Sequence, residues 1–137
     1  MKKSPALKIP SLGPDVAVGA DVCDPARLQR GIERHGEQFI RRVFTQKEAA
    51  YCASRPDPYP SYAARFAGKE AVMKVLGTGM RAGFTNIEII HDADGAPVVT
   101  LHGHAREIAT QAGIDRVAIS LSHEKGFALA FAAARIR

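Results

Sequence analysis

The run ARFAGKEAVMK over residues 63–73, completed by Lys74, constrains the fold more than any other stretch of the chain. Ser61 supplies an N-cap before it and Gly77 a stop after it, which predicts one long helix between them. On a helical wheel at about 100° per residue its apolar residues fall on nearly every side. A helix with so little surface for water must run through the middle of a domain, with other elements packed around it. Its four charges, Arg65, Lys69, Glu70 and Lys74, therefore need partners. Arg65 and Lys69 share one stripe, and Glu70 and Lys74 a second. Taken alone, Glu70 and Lys74 read as an ordinary intrahelical ion pair, worth a few tenths of a kcal/mol.

A second oddly placed charge shifts that balance. The β-branched run VAVGADVC over residues 16–23 reads as a strand, and Asp21 sits within it. A carboxylate taken from water in such a strand costs several kcal/mol unless something compensates it. Two carboxylates brought together on rigid elements would make a hard-cation site: Mg²⁺ typically takes one or two protein carboxylates and leaves positions for water and phosphate oxygens. The alternative for Asp21 is a lone acid at a strand end, and spacing alone leaves both open.

Local signals place the remaining elements. Asp24-Pro25 is an N-cap followed by proline at the first helical position, opening a helix over residues 26–35. Gly36 suits a stop before a second helical piece, EQFIRRVF. Thr45 and Glu48 form a capping box that starts a short helix through about Ser54. RPDPYP, with alternating prolines, predicts an extended loop. FTNIEII and APVVTLH flank DADG, which has the composition of a hairpin turn. HAREIATQAG reads as a short helix closed by Gly113, and VAISLSH and FALAFAAA as strands joined through EKG. The expected architecture is α+β, an antiparallel sheet packed on the long central helix with shorter helices, in the order β-α-α-α-β-β-α-β-β.

At 137 residues the chain is long enough for one domain with a genuine core and too short for two. Residues 1–15 read as a loose basic N-terminal extension and 16–137 as the domain. The formal charge of +5 favours an anionic partner without choosing among a nucleotide, a nucleic acid, an acidic protein and a membrane surface. Cys23 and Cys52 lack CxxC spacing, which fits small core residues in a reducing cytoplasm. No run approaches a membrane span. The basic run near Arg27, Arg30, Arg34, Arg41 and Arg42 is either a solvated helix face or a dock for an acidic partner.

Three histidine-bearing stretches complete the candidates. His123 in SLSH sits where a strand runs out, placed to reach a ligand or to bond its own turn. His102 and His104 form an HxH that lacks a third zinc ligand. His91, Asp92 and Asp94 echo a calcium loop without its later acid, so a hairpin turn is expected there.

Several stretches together resemble one family, the holo-acyl-carrier-protein synthases, the short type of 4′-phosphopantetheinyl transferase. They are VGADVCDPARL, RVFTQKEAAYC, ARFAGKEAVMKVLGTG, NIEIIHDADGAPVVTLHG and VAISLSHEKGFALAFA, in the family's order over residues 16 to about 134. The resemblance implies transfer of 4′-phosphopantetheine from coenzyme A to a serine of acyl carrier protein, with Mg²⁺ required and adenosine 3′,5′-bisphosphate released. By position Asp21 and Glu70 look like the metal ligands, and Lys74 like the lysine that meets the pyrophosphate. Arg65, Lys69 and His123 match positions lining the coenzyme site, and Arg27 resembles the arginine facing the carrier protein. The serine's proton would pass to Glu70 or to a water on the metal. Members of this length are typically homotrimers with active sites between subunits, and FALAFAAA is either part of that contact or a core strand. Two departures from the pattern are Pro25, which alters how the first helix begins, and Gly68, where alanine is usual. Glycine there should cost about 1 kcal/mol in a helix interior. A competing class, a basic α+β domain binding nucleic acid or nucleotide without catalysis, meets low aromatic content and no RNP, KH or zinc-finger pattern. Neither a nucleic-acid nor a membrane partner is therefore expected.

Overall fold

In a computed structural model, described over residues 15–137, the long helix is the element around which everything else is arranged. The N-terminal extension expected over residues 1–15 lies, except for its last residue, outside the described residues. The elements are β1 (Val16–Cys23), α1 (Pro25–His35), α2 (Glu37–Val43), α3 (Gln46–Ala53), α4 (Tyr59–Leu76), β2 (Ile87–His91), β3 (Pro97–Leu101), α5 (Gly103–Gln111), β4 (Ile114–Glu124) and β5 (Phe127–Ile136). Two short 3₁₀ turns, Gly79–Ala82 and Phe84–Asn86, link α4 to β2.

The local signals act where the sequence puts them. The Asp24 side chain accepts from the Ala26 amide at 2.9 Å and starts α1. The Thr45–Glu48 capping box is complete in both directions. Gly77 ends α4 in the left-handed conformation, φ 70°. Asp92 closes the β2–β3 hairpin by accepting from the amides of Asp94 and Ala96 at 2.9 and 3.0 Å.

Three expectations need correction. Four helices, not three, precede β2, because Gly36 adopts φ 60°, ψ −140° and separates α1 from α2 completely. Helix α4 starts earlier than Ser61, at Tyr59 after a Pro58 cap. The extended loop is shorter accordingly, since Pro60 lies in the first turn, where a missing N–H costs nothing. The strands also form two sheets rather than one: an antiparallel β1-β5-β4 sheet and a separate β2-β3 hairpin.

The three-stranded sheet lies on α4 through small side chains. Ala17 and Gly19 of β1, and Ala128, Ala130, Ala132 and Ala134 of β5, are buried, as are Ala63, Ala67 and Ala71 of the helix. The opposite face of β5 carries Phe127, Leu129 and Phe131, which remain 42%, 47% and 50% exposed, beside Val22 of β1 at 53%. FALAFAAA is thus a core strand on one side and an open apolar surface on the other.

Gly68, the departure noted in the long helix, has a packing reason. A Cβ there would stand 2.6 Å from Ile89 Cδ1 and 3.0 Å from Ile119 Cδ1, so the space that an alanine methyl would fill is taken by two isoleucines.

Candidate active site

β1 and α4 bring Asp21 and Glu70 together. Asp21 lies on the β1 face that packs on α4, and Glu70 stands in the helix's second half. The two carboxyl groups are near enough for Asp21 to act directly on Glu70. Burial first, then the neighbouring Asp21 carboxyl, push the Glu70 carboxyl up to about 7; Arg27 and Lys74 pull the other way.

Lys74 does not form the intrahelical pair with Glu70. Its Nζ donates to Ala20 O at 2.8 Å and lies 3.4 Å from Asp21 Oδ1. Its side chain is 52% exposed and that of Asp21 is 21% exposed, so the ammonium faces solvent beside the acids. With three donors and two partners, it keeps one N–H for an incoming anion. The donor set suits Mg²⁺: two hard carboxyl groups on rigid elements, with Asp21 and Lys74 both reaching the surface. Among the described residues no group of three His, Cys, Asp or Glu side chains is gathered as a softer transition metal would require. His102 and His104 instead meet different carboxylates, Glu88 at 3.1 Å and Glu107 at 3.3 Å.

Arg65 and His123 meet elsewhere. They line a cavity of about 150 Å³ with Tyr51, Arg55, Ser61 and His91. Arg65 is held rigidly: Nε donates to Ile89 O at 3.1 Å, Nη2 to His91 Nδ1 at 3.0 Å, and the guanidinium carbon lies 4.5 Å from the centre of the Tyr51 ring. Because arginine only donates, His91 Nδ1 must carry the lone pair. Burial and then the neighbouring Arg65 charge hold His91 below the usual histidine range. The cavity gathers two guanidinium groups and two imidazoles and suits a phosphate. Tyr51 and Arg55 were not singled out from the sequence, and His91 was read only as part of a hairpin turn; the Tyr51–Arg55 spacing of about one helical turn was the available signal.

Lys69 departs most from expectation. It is fully buried, with no side-chain surface open to a ligand in this chain. Its Nζ lies 2.7 Å from Glu48 Oε1, donates to Phe84 O at 2.9 Å, and also donates to Ile87 O. All its donors are spent inside the core, tying α3 and α4 to the start of β2. Glu48, read only as a capping-box acid, also accepts from the Ile89 amide at 2.6 Å. Arg27 is exposed on α1, near enough for its charge to act on Glu70.

The chain that folds in this way is matched over residues 17–132 by the family model of the 4′-phosphopantetheinyl transferase superfamily. The chain is 46% identical over 115 residues to a holo-acyl-carrier-protein synthase of Moorella thermoacetica, covering 83% of this chain and 89% of that one. The structure resembles the crystal structure of the corresponding synthase from Neisseria meningitidis, with TM-score 0.79, 35% identity, and coverage of 85% of this chain and 95% of that one. It also resembles the Helicobacter pylori synthase in complex with coenzyme A, with TM-score 0.75, 29% identity, and coverage of 85% and 98%. The chain belongs to the holo-acyl-carrier-protein synthases of this superfamily.

Proposed function

We propose that the protein transfers the 4′-phosphopantetheine arm of coenzyme A to a serine of apo acyl carrier protein, with Mg²⁺ held between Asp21 and Glu70. The observation that carries the metal assignment is the meeting of these two carboxyl groups, with Glu70 pushed up to about 7 by burial and by its neighbour. Bound there, Mg²⁺ would neutralise charge on the diphosphate and on the leaving phosphate.

The chain's own groups do the rest. The spare N–H of Lys74 meets a diphosphate oxygen and supplies a fixed cation where negative charge builds. The serine Oγ forms its bond to phosphorus as the bond to the departing adenosine 3′,5′-bisphosphate breaks, and the oxygen that leaves takes the electron pair. The serine proton passes to the Glu70 carboxylate. Arg65 and His123, with Arg55 and His91 beside them, hold a phosphate of the nucleotide. Arg27 on α1 meets the acidic carrier, with an attraction that weakens as salt rises.

The active unit is a homotrimer with sites between subunits. Two observations support this: the exposed Phe127, Leu129 and Phe131 face of β5, and the separation of the Arg65–His123 cavity from the Asp21–Glu70 pair on one chain. Such an apolar patch is the usual mark of a subunit contact. Residues 16–137 act as one domain. The free, buried cysteines 23 and 52 suit a reducing cytoplasm, and among the described residues no helix is long and apolar enough to cross a membrane.

The test is to incubate the protein with coenzyme A, Mg²⁺ and apo acyl carrier protein and to weigh the carrier. A gain of one phosphopantetheine arm, lost with EDTA and in Asp21→Ala and Glu70→Ala, is expected. No gain with any carrier would refute the transfer. Full activity of a species sedimenting as a monomer would refute the shared site.

A further inference from the structure

The carboxylate pair depends on how closely a strand can lie on a helix, and one residue sets that spacing. Gly19 is two residues before Asp21 on the same inward face of β1 and is buried. A Cβ at position 19 would run into the backbone carbonyl of Ala71 and would stand 2.9 Å from Lys74 Cβ and 3.2 Å from the Val75 amide nitrogen. Two of these three neighbours are main chain, which cannot swing aside as a side-chain tip can. All three belong to residues 71–75 of α4, the turn that follows Glu70 and contains Lys74. We infer that Gly19 is a positioning residue of the metal and diphosphate site, fixing the β1–α4 distance at which Asp21 and Glu70 share one cation and Lys74 reaches Ala20 O.

The backbone of Gly19 has no left-handed requirement, since its φ is not among the positive ones. The need for glycine here is spatial, not conformational. Asp21 has a short side chain, with only χ1 and χ2 to turn, so it can take up little of a shift of its strand. A methyl at position 19 would move the strand and helix apart, or roll one on the other, beside the place where Asp21 of the strand acts on Glu70 of the helix. The Arg65–His123 cavity, on another side of α4, does not depend on this contact.

This inference rests on the metal reading above, and the experiment separates the two. Mn²⁺ binding is measured directly by electron paramagnetic resonance on the full chain, and binding of adenosine 3′,5′-bisphosphate is measured separately without metal. Wild type should bind Mn²⁺ and Asp21→Asn should not; failure here would overturn the metal site itself. Gly19→Ala should weaken Mn²⁺ about tenfold to a hundredfold, the range seen when a ligand's support is removed, and should lower kcat while leaving bisphosphate affinity unchanged. Adding Asp21→Glu, whose carboxylate reaches one methylene further, should recover part of the Mn²⁺ affinity in the Gly19→Ala background and lower it in wild type. Gly68→Ala, a comparable added methyl on the same helix away from β1, should leave Mn²⁺ binding alone. If Gly19→Ala does not fold, Ala71→Val presses on the same contact from the helix side and is read in the same way. Undiminished Mn²⁺ affinity in the folded variant, or equal losses of metal and bisphosphate, would overturn the proposal.

Discussion

Helix α4 carries two lysines, 69 and 74, each beside a carboxylate from another element, and the two arrangements are opposites. The Lys69–Glu48 pair is fully buried, and every polar atom of the pair is occupied: Glu48 takes Lys69, the Thr45 amide and the Ile89 amide, while Lys69 takes Glu48 and two carbonyls. The Lys74 site is half open, its lysine holds one carboxylate loosely at 3.4 Å, and burial and then the nearby Asp21 raise the carboxyl of the second acid, Glu70, to about 7. A closed pair spends its charge on holding three elements in register. An open group, two acids with Lys74 beside them and the Arg27 charge nearby, keeps polar atoms free for something that arrives from solution. The two functions differ because of what surrounds the lysines, not because of the residue types themselves.

The largest effect that would sharpen this contrast is expected at the open site. Glu70→Gln should reduce transfer about 10²–10⁴-fold while the melting temperature in metal-free buffer stays level or rises, because an uncompensated acid has been removed. A large drop in melting temperature would instead make Glu70 part of the framework.

The converse is expected at the closed site. Lys69→Met leaves Glu48 buried without its cation and should cost about 3–5 kcal/mol, read as a lower denaturant midpoint. The folded fraction should keep its affinity for Mn²⁺. Unchanged stability would break the comparison from this side.

Next in size is a pH effect confined to the open site. The folded chain holds the Glu70 proton up to about 7, whereas the unfolded chain releases it near the usual value of 4.5. In the metal-free protein this group's contribution to stability therefore falls as pH rises from about 4.5 to about 7 and is flat outside that window. A divalent cation displaces the proton, so the rise in melting temperature on adding Mg²⁺ should grow with pH across the same window. Calorimetry with EDTA and with Mg²⁺ at pH 5, 6 and 7 checks both halves, and Glu70→Gln should abolish both.

The smallest effect concerns the packing between the two sites. Gly68→Ala gains about 1 kcal/mol of helix propensity and meets Ile89 and Ile119 at 2.6 and 3.0 Å, an overpacking that typically costs about 1–3 kcal/mol. A net loss of about 1 kcal/mol in chemical unfolding is expected, and adding Ile89→Val should turn it into a gain.

Features with local signatures were legible in the sequence. The Asp24 cap, the Thr45–Glu48 box, the Gly77 stop and the Asp92 hairpin each depend on residues within a few positions of one another, and the structure has all four. Asp21 was legible as an acid out of place in an apolar strand, and its meeting with Glu70 follows from the strand lying on the long helix. The character of Lys69 was hidden because its partner is 21 residues earlier on another helix, where the capping box already explained Glu48. His91 was absorbed by the hairpin it begins, and its bond to Arg65 spans 26 residues. The start of α4 was misplaced because prolines mark both loops and first helical turns, and only the tertiary fold chooses between them.

The alternation of β5 reaches beyond packing. Ala130 is the register partner of Asp21, and its immediate neighbours Leu129 and Phe131 point to the opposite side of the sheet. Whatever grips those two side chains also stiffens the peptide linking them, and Asp21 lies one strand spacing away, about 4.8 Å. Immobilising the outer surface would thus quiet the carboxylate on the inner one, so the precision of the cation's seat would be inherited from a neighbour that never touches it.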